Sequence, residues 1–197
     1  MEFPLQLQFK ILALAPQIII TDAQGKSLMY VKQKLFKFKE AIKIFTDSTQ
    51  TTPLFNINAD RVIDWSAKYT FTFPNGTVLG ATKRSGMKSL WRVHYSILNA
   101  DLQPVFDITQ DNPWIVVLDA LLQNVPVLGM FSGYFLNPTY LVTPTGSKDV
   151  ILKLVKKKSF LESGFKITKE SASINENDEF LILLSTIMVT LLERTRG

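Results

Sequence analysis

The sequence contains no cysteine, which excludes disulfide bonds, thiolate metal sites and cysteine nucleophiles and makes a reducing compartment the simpler expectation. It contains a single histidine, His94, so zinc sites built on a histidine pair and relays that need a second imidazole are excluded too. A Ser-His-Asp arrangement around His94 stays formally open, but no nucleophile-elbow spacing accompanies it, and a structural role accounts for a lone histidine. No phosphate-cradling glycine loop, zinc-ligand spacing or dinucleotide fingerprint occurs. The chain is therefore expected to use no cofactor or metal and to do no enzymatic chemistry.

Long hydrophobic runs are missing as well. The longest, Phe180 to Leu192, falls short of the roughly 20 residues that a membrane-spanning helix needs. The N-terminal apolar stretch has Lys10 in its middle, no basic region before it, and Pro4 and Pro16 as interruptions, so it does not read as a signal peptide. A cytoplasmic protein is expected, at most peripheral at a membrane.

What is present is 197 residues with 46% hydrophobic composition, enough to bury the core of one domain without requiring a second. Short alternating runs separated by turn signals recur along most of the chain, the pattern of successive antiparallel strands. Gln17 to Thr21 and Lys26 to Lys32 flank the turn Asp22-Ala23-Gln24-Gly25. Tyr69, Phe71 and Phe73 alternate with threonines before Pro74-Asn75-Gly76, and Thr77 to Ala81 returns; Asn-Gly is the strongest short hairpin signal. Trp91, Val93, Tyr95 and Ile97 share one face of the next strand, opposite Arg92, His94 and Ser96, and Asn99-Ala100-Asp101 turns into Val105 to Thr109. Ala41 to Thr46 with Leu54 to Asn58, and Tyr140 to Thr143 with Asp149 to Val155, read as two more pairs. A meander or closed barrel follows, because closure removes exposed strand edges.

Two stretches break the pattern. Residues 112–136 read as a helical or loop insertion: Asn112-Pro113 resembles a helix start leading into Trp114 to Gln123, and Val125 to Phe135 carries Pro126, Gly129 and Gly133. The second is residues 176–195. Asn175, Asn177, Asp178 and Glu179 offer a cap and negative charge at its start, and Arg194 and Arg196 positive charge at its end, both complementary to a helix macrodipole. Between them, ten residues from Phe180 to Leu192 are large and apolar and point in every direction around a helix, which must then be buried on all sides. A barrel interior can bury it. The fold class is thus mainly β: a barrel of antiparallel hairpins enclosing a hydrophobic C-terminal helix, with one or two short additional helices.

Hairpins followed by one wholly apolar terminal helix resemble the tubby-like superfamily, which includes the scramblase-like and LURP-one-related proteins. The resemblance covers nearly the whole chain. Its best local pieces are Asp22-Ala23-Gln24-Gly25, the run Gly80-Ala81-Thr82-Lys83-Arg84-Ser85 leading to Trp91-Arg92-Val93, and Gly164-Phe165-Lys166-Ile167. It implies a closed barrel around a central helix. Tubby proteins bind phosphoinositide headgroups through basic residues on a Gly-x-Leu-Arg-Ser-like strand, which Gly80 to Ser85 resembles with different spacing, so Lys83 and Arg84 are the residues that the resemblance implicates. The cysteine-rich and calcium-associated features of scramblase relatives are missing, and lipid scrambling is not implied.

The net charge of +5 allows an anionic partner, lipid headgroup or nucleic acid. Lys83, Arg84, Lys88 and Arg92 are the densest basic stretch near a β connection; arginine can grip a phosphate with two hydrogen bonds, and a solvated face is the bland alternative. Lys153, Lys156, Lys157 and Lys158 suit a strand edge guarded against aggregation. Lys37 and Lys39 alternate with Phe36 and Phe38 as a single-strand nucleic-acid groove would, and equally as a half-buried strand does; no recognition motif supports the nucleic-acid reading. Asp60 with Asp64, or Asp107 with Asp111, are the available carboxylate pairs and read as turn and surface residues. Asn75-Gly76-Thr77 matches a glycosylation acceptor, but its turn role suffices. The aromatic stretch from Trp114 to Phe135, with Phe131 and Tyr134, suits either a core or barrel cap or contact with a membrane or partner.

The expected function is a non-enzymatic module that binds anionic phospholipid or phosphoinositide headgroups; the alternative is a structural or protein-interaction domain without lipid affinity. Burying a large apolar side chain contributes about 1.5–3 kcal/mol, so ten of them together exceed the usual net stability of a domain, about 5–15 kcal/mol. Deleting residues 176–195 is expected to abolish the cooperative unfolding transition in a urea titration, and a truncated chain that still unfolds cooperatively would refute the central-helix reading.

Overall fold

The computed structural model describes residues 1–10, 17–32, 42–60, 67–85, 93–112, 138–157, 164–171 and 174–194. They form twelve strands: β1 (Leu5–Lys10), β2 (Gln17–Thr21), β3 (Ser27–Lys32), β4 (Ile42–Phe45), β5 (Pro53–Ala59), β6 (Lys68–Thr72), β7 (Val78–Arg84), β8 (His94–Asn99), β9 (Pro104–Gln110), β10 (Thr139–Pro144), β11 (Leu152–Lys156) and β12 (Gly164–Lys169). Each pairs antiparallel with the next in sequence, and β1 pairs with β12, so the sheet closes into a barrel. One helix, α1 (Glu176–Arg194), follows the last strand. The expected insertion at 112–136, with its short helices, lies almost wholly outside the described residues, as do Trp91, Asp64 and the Lys37–Lys39 stretch.

Most hairpins fall where alternation and turn residues place them. At the β6–β7 turn, Gly76 has φ +88°, a conformation that side chains disfavour, and Asn75 Oδ1 accepts from the Thr77 amide at 3.0 Å. Two boundaries differ from the sequence reading. The return strand of that hairpin runs on to Arg84, and Asp149 lies before β11 rather than in it. The N-terminal stretch is a strand, with Leu5, Leu7 and Phe9 inside and Gln6, Gln8 and Lys10 outside. It closes the barrel, pairing with β2 on one side and β12 on the other.

Every residue from Leu181 to Leu191 is buried, including Ser185, Thr186 and Thr190. Ser185 and Thr190 return their hydroxyls to helix carbonyls, at 2.8 Å to Leu181 O and 2.8 Å to Ile187 O, which satisfies those two donors, while the Thr186 hydroxyl has no partner among the described residues. The reason a helix is needed is geometric. Twelve strands spaced about 4.8 Å apart have a circumference near 58 Å and so a diameter of at least about 18 Å, more than wall side chains alone can fill. A helix with its side chains, about 10–12 Å across, fills the remainder. Asn175 caps it: its Oδ1 accepts from the Asp178 amide at 2.8 Å, and its amide group donates to Asp178 Oδ2 at 2.6 Å. Below the cap, buried Glu179 takes Lys169 Nζ at 2.5 Å and the Met1 amino group at 3.4 Å, so a carboxylate at the barrel mouth is neutralised in place.

The helix lies closest to β6, β7 and β8, and Gly80 is what permits that approach. A Cβ there would stand 2.3 Å from Leu98 O and 2.7 Å from Leu181 Cδ1. The backbone oxygen cannot yield as a side chain can, so Gly80→Ala is expected to destabilise the protein by about 2–3 kcal/mol. A urea midpoint unchanged from the native protein would show that the helix does not press on this strand.

Candidate functional site

Because the strands alternate in direction, the barrel has two rims of different character. Tight turns at residues 22–26, 47–52, 74–77, 100–103 and 145–148 join strands at one rim, where α1 enters. At the other rim, β1 ends on Lys10, β3 on Lys32, β7 on Lys83 and Arg84, and β11 on Lys156, while β6 begins at Lys68.

Strand alternation separates the sequence candidates. Lys83 is exposed on the outer wall, whereas Arg84 is 7% exposed and turned inward, its guanidinium carbon 5.9 Å from the Tyr95 ring centroid. This is the cation-over-ring arrangement by which an arginine packs against an aromatic face. The two neighbours in sequence therefore work on opposite faces of the wall. Lys88 and Arg92 lie outside the described residues. Lys68, which sequence reasoning left out, is the direct cross-strand partner of Lys83, and both side chains face outward. No ion pair holds either lysine among the described residues. Like charges directly opposite one another repel; the Asp60 carboxylate, whose Oδ1 accepts from the Lys68 backbone amide at 3.0 Å, borders the pair on the β5 side. The pair's only sequence signal was the hairpin register, which requires knowing that the pairing shifts at a bulge between Phe71 and Thr72.

Beside this pair runs a hydrogen-bonded chain on the outer wall. Ser85 Oγ and Ser96 Oγ are 3.0 Å apart, Ser96 Oγ donates to Asp107 Oδ1 at 3.1 Å, and His94 Nε2 lies 3.0 Å from the same oxygen. The serine hydroxyl is aimed at the carboxylate and not at the imidazole, so among the described residues these three do not have the serine–histidine–carboxylate order of a catalytic triad. Asp107 and Asp111 stand four residues apart along one edge of the wall, about 13 Å at the usual strand rise, too far to act on one bond between them. Among the described residues no cluster of three metal-ligating side chains occurs. A cavity of about 10 Å³ near the turn rim, lined by Phe3, Leu152, Glu179 and Thr186 among others, has room for one water molecule and no organic ligand.

Inside the barrel near the basic rim, Tyr69 is 3% exposed and its hydroxyl has no hydrogen-bond partner among the described residues. Burial, with the Asp60 carboxylate second, pushes its phenol above the ordinary value. A raised folded-state value means a contribution that is intact below the unfolded tyrosine pKa of about 10 and lost as pH rises through the folded one.

Residues 27–187 match the family described as LURP-one-related. The chain belongs to that family. The fold of this LURP-one-related domain is similar to that of an Arabidopsis thaliana protein known from an X-ray structure, with a TM-score of 0.51 at 13% identity over 99% of this chain and 93% of that one. At such identity the likeness concerns the fold alone. No curated protein matches the sequence. Among the described residues of the LURP-one-related domain, no helix is long and apolar enough to cross a membrane.

The unpartnered phenol sets a test of the interior. Tyr69→Phe removes a buried hydroxyl that gains nothing from its position and is expected to stabilise the fold by about 1 kcal/mol at neutral pH. Above pH 10 the advantage should widen, because the variant no longer loses stability to tyrosine ionisation in the unfolded chain. A variant less stable than the native protein in thermal scans at both pH values would mean that the hydroxyl has a partner.

Proposed function

We propose that this LURP-one-related domain is a non-enzymatic binding module for anionic phospholipid headgroups, held at the outer wall by Lys83 and Lys68. The observation that carries this reading is the facing lysine pair: two ammonium groups on adjacent strands with no carboxylate between them, Lys83 exposed and Lys68 half-buried. A phosphate set between them relieves their repulsion and accepts from both. The hydroxyls of Ser85 and Ser96 lie alongside, on the same face. Lys88 and Arg92 follow Lys83 in sequence and are proposed as further headgroup contacts. Arg84 supports the strand from within. The LURP-one-related membership and the tubby-like barrel agree with a binding role and do not specify the ligand.

A protein-partner reading has less behind it. Val78 and Leu102 are the exposed large apolar residues among the described ones, at 38% and 46%. Val78 opens β7 and Leu102 lies in the turn between β8 and β9, and two single side chains make no broad apolar patch.

Cosedimentation with phosphatidylcholine vesicles, with and without phosphoinositide, tests the proposal. Binding is expected only with the anionic lipid and to fall as salt rises. Each lysine near an anionic surface contributes about 1 kcal/mol, so Lys68→Gln with Lys83→Gln should weaken binding by roughly 20- to 30-fold. Equal binding to neutral vesicles, or a double variant that binds as well as the native protein, would overturn it.

A further inference from the structure

The strand register from β5 to β9 sets a line of polar side chains across the outer wall. Lys68 pairs with Lys83, Lys83 with Ser96, and Ser96 with Asp107. Asp60, just after β5, ends the line beyond Lys68, whose amide donates to its Oδ1 at 3.0 Å. The charges therefore run minus, plus, plus, neutral, minus, and they cancel over the line as a whole. His94 lies against Asp107, at 3.0 Å from Oδ1. Two further charged groups on this side of the wall stand off the line: Asp111, four residues along from Asp107, and Lys153, opposite Leu141 on the far side of β10.

Both polar contacts of Asp107 fall on one oxygen. Ser96 Oγ and His94 Nε2 meet Oδ1, at 3.1 Å and 3.0 Å, while Oδ2 has no hydrogen-bond partner among the described residues, and the side chain is 18% exposed. Lys83 and Asp107 stand two strands apart, about 10 Å at the usual strand spacing, and no ion pair joins them. A lysine ammonium rides on a flexible four-carbon stem, so it can close on a ligand lying over Ser96. The gap thus offers cationic donors on one side, a carboxylate acceptor on the other, and the hydroxyls of Ser85 and Ser96 between.

A headgroup that fits this line must bring acidic groups to the lysines and an N–H donor to Asp107. A phosphorylated inositol ring brings only the first, and its added charge meets Asp60 and Asp107 with the same sign. A choline head brings a cation without an N–H, and quaternary ammonium groups are held by aromatic faces; among the described residues no phenylalanine, tyrosine or tryptophan faces outward on β6 to β9. The serine head joins a phosphodiester, a carboxylate and a primary ammonium within a few bonds. We infer that this line selects phosphatidylserine among anionic phospholipids, Lys68 and Lys83 taking its phosphate and carboxylate and Asp107 Oδ2 accepting from its ammonium. This rests on the lipid-binding reading above and deepens it by naming the headgroup and making Asp107 a specificity residue.

Phosphatidylglycerol has the same net charge as phosphatidylserine and no ammonium, so the deciding comparison needs only the native protein. The full chain would be titrated with phosphatidylcholine vesicles carrying an equal share of one or the other. Phosphatidylserine is expected to bind about fivefold more tightly, the upper end of what one exposed ion pair contributes. Asp107→Asn keeps an acceptor for Ser96 and His94 but removes the charge; with a urea midpoint near the native one, it should bind the two lipids alike. Glycerophosphoserine, the same head without acyl chains, should displace the native protein from the vesicles. Equal native binding of the two lipids, a folded Asp107→Asn variant that keeps the preference, or tighter binding to phosphoinositide vesicles of matched surface charge overturns the inference and leaves the lipid reading standing. Binding of glycerophosphoserine without binding of vesicles makes the ligand a soluble one and overturns both, as does failure to bind any anionic vesicle.

Discussion

Neither the helix nor the barrel of this LURP-one-related domain is complete without the other. The apolar residues of α1, buried without a break from Leu181 to Leu191, require a surface on every side, and only a closed wall supplies it. Twelve strands in turn enclose a lumen wider than their own inward side chains can occupy. The wall tolerates the helix at close range because Gly80 removes a side chain where Leu181 and the Leu98 carbonyl meet. The capping pair Asn175 and Asp178, and the Glu179 carboxylate held by Lys169, then set where the helix enters.

This mutual dependence is also why so much of the architecture could be read from residues alone. The turns at Asp22 to Gly25 and Pro74 to Gly76 announce their hairpins through local chemistry, and a helix apolar on all faces announces an enclosure. β1 carries as strict an alternation as any other strand, in Leu5, Leu7 and Phe9 against Gln6, Gln8 and Lys10. Its apolar content drew the question of a leader sequence instead, and its partner β12 lies far away in sequence, so no local turn signal points to the pairing.

The candidate site was legible only in part, for a related reason. Lys83 and Arg84 are adjacent in sequence, yet period-2 geometry sends one to solvent and the other onto Tyr95. Lys68 becomes relevant only through its register with Lys83, and a bulge at the end of β6 enters that register. The ring of lysines at one rim has no sequence signature at all. It arises because odd-numbered strands end where even-numbered strands begin, so residues scattered from Lys10 to Lys157 are brought level by topology. Charge clusters that are local in sequence, such as Lys153 to Lys158, gave no guide to it.

The pairing of the first strand with the last has a consequence for synthesis. While the domain is still emerging from a ribosome, β1 has no second neighbour and the lumen has no filling, because β12 and α1 are the last of these elements to be made. The earlier hairpins can form one by one, but they present their apolar inner faces and an open edge until almost all of the chain is available. Closure is thus a late event, over a greater sequence separation than any other strand pairing of the domain, and a pairing of that kind forms slowly because its loop-closure entropy must be met first.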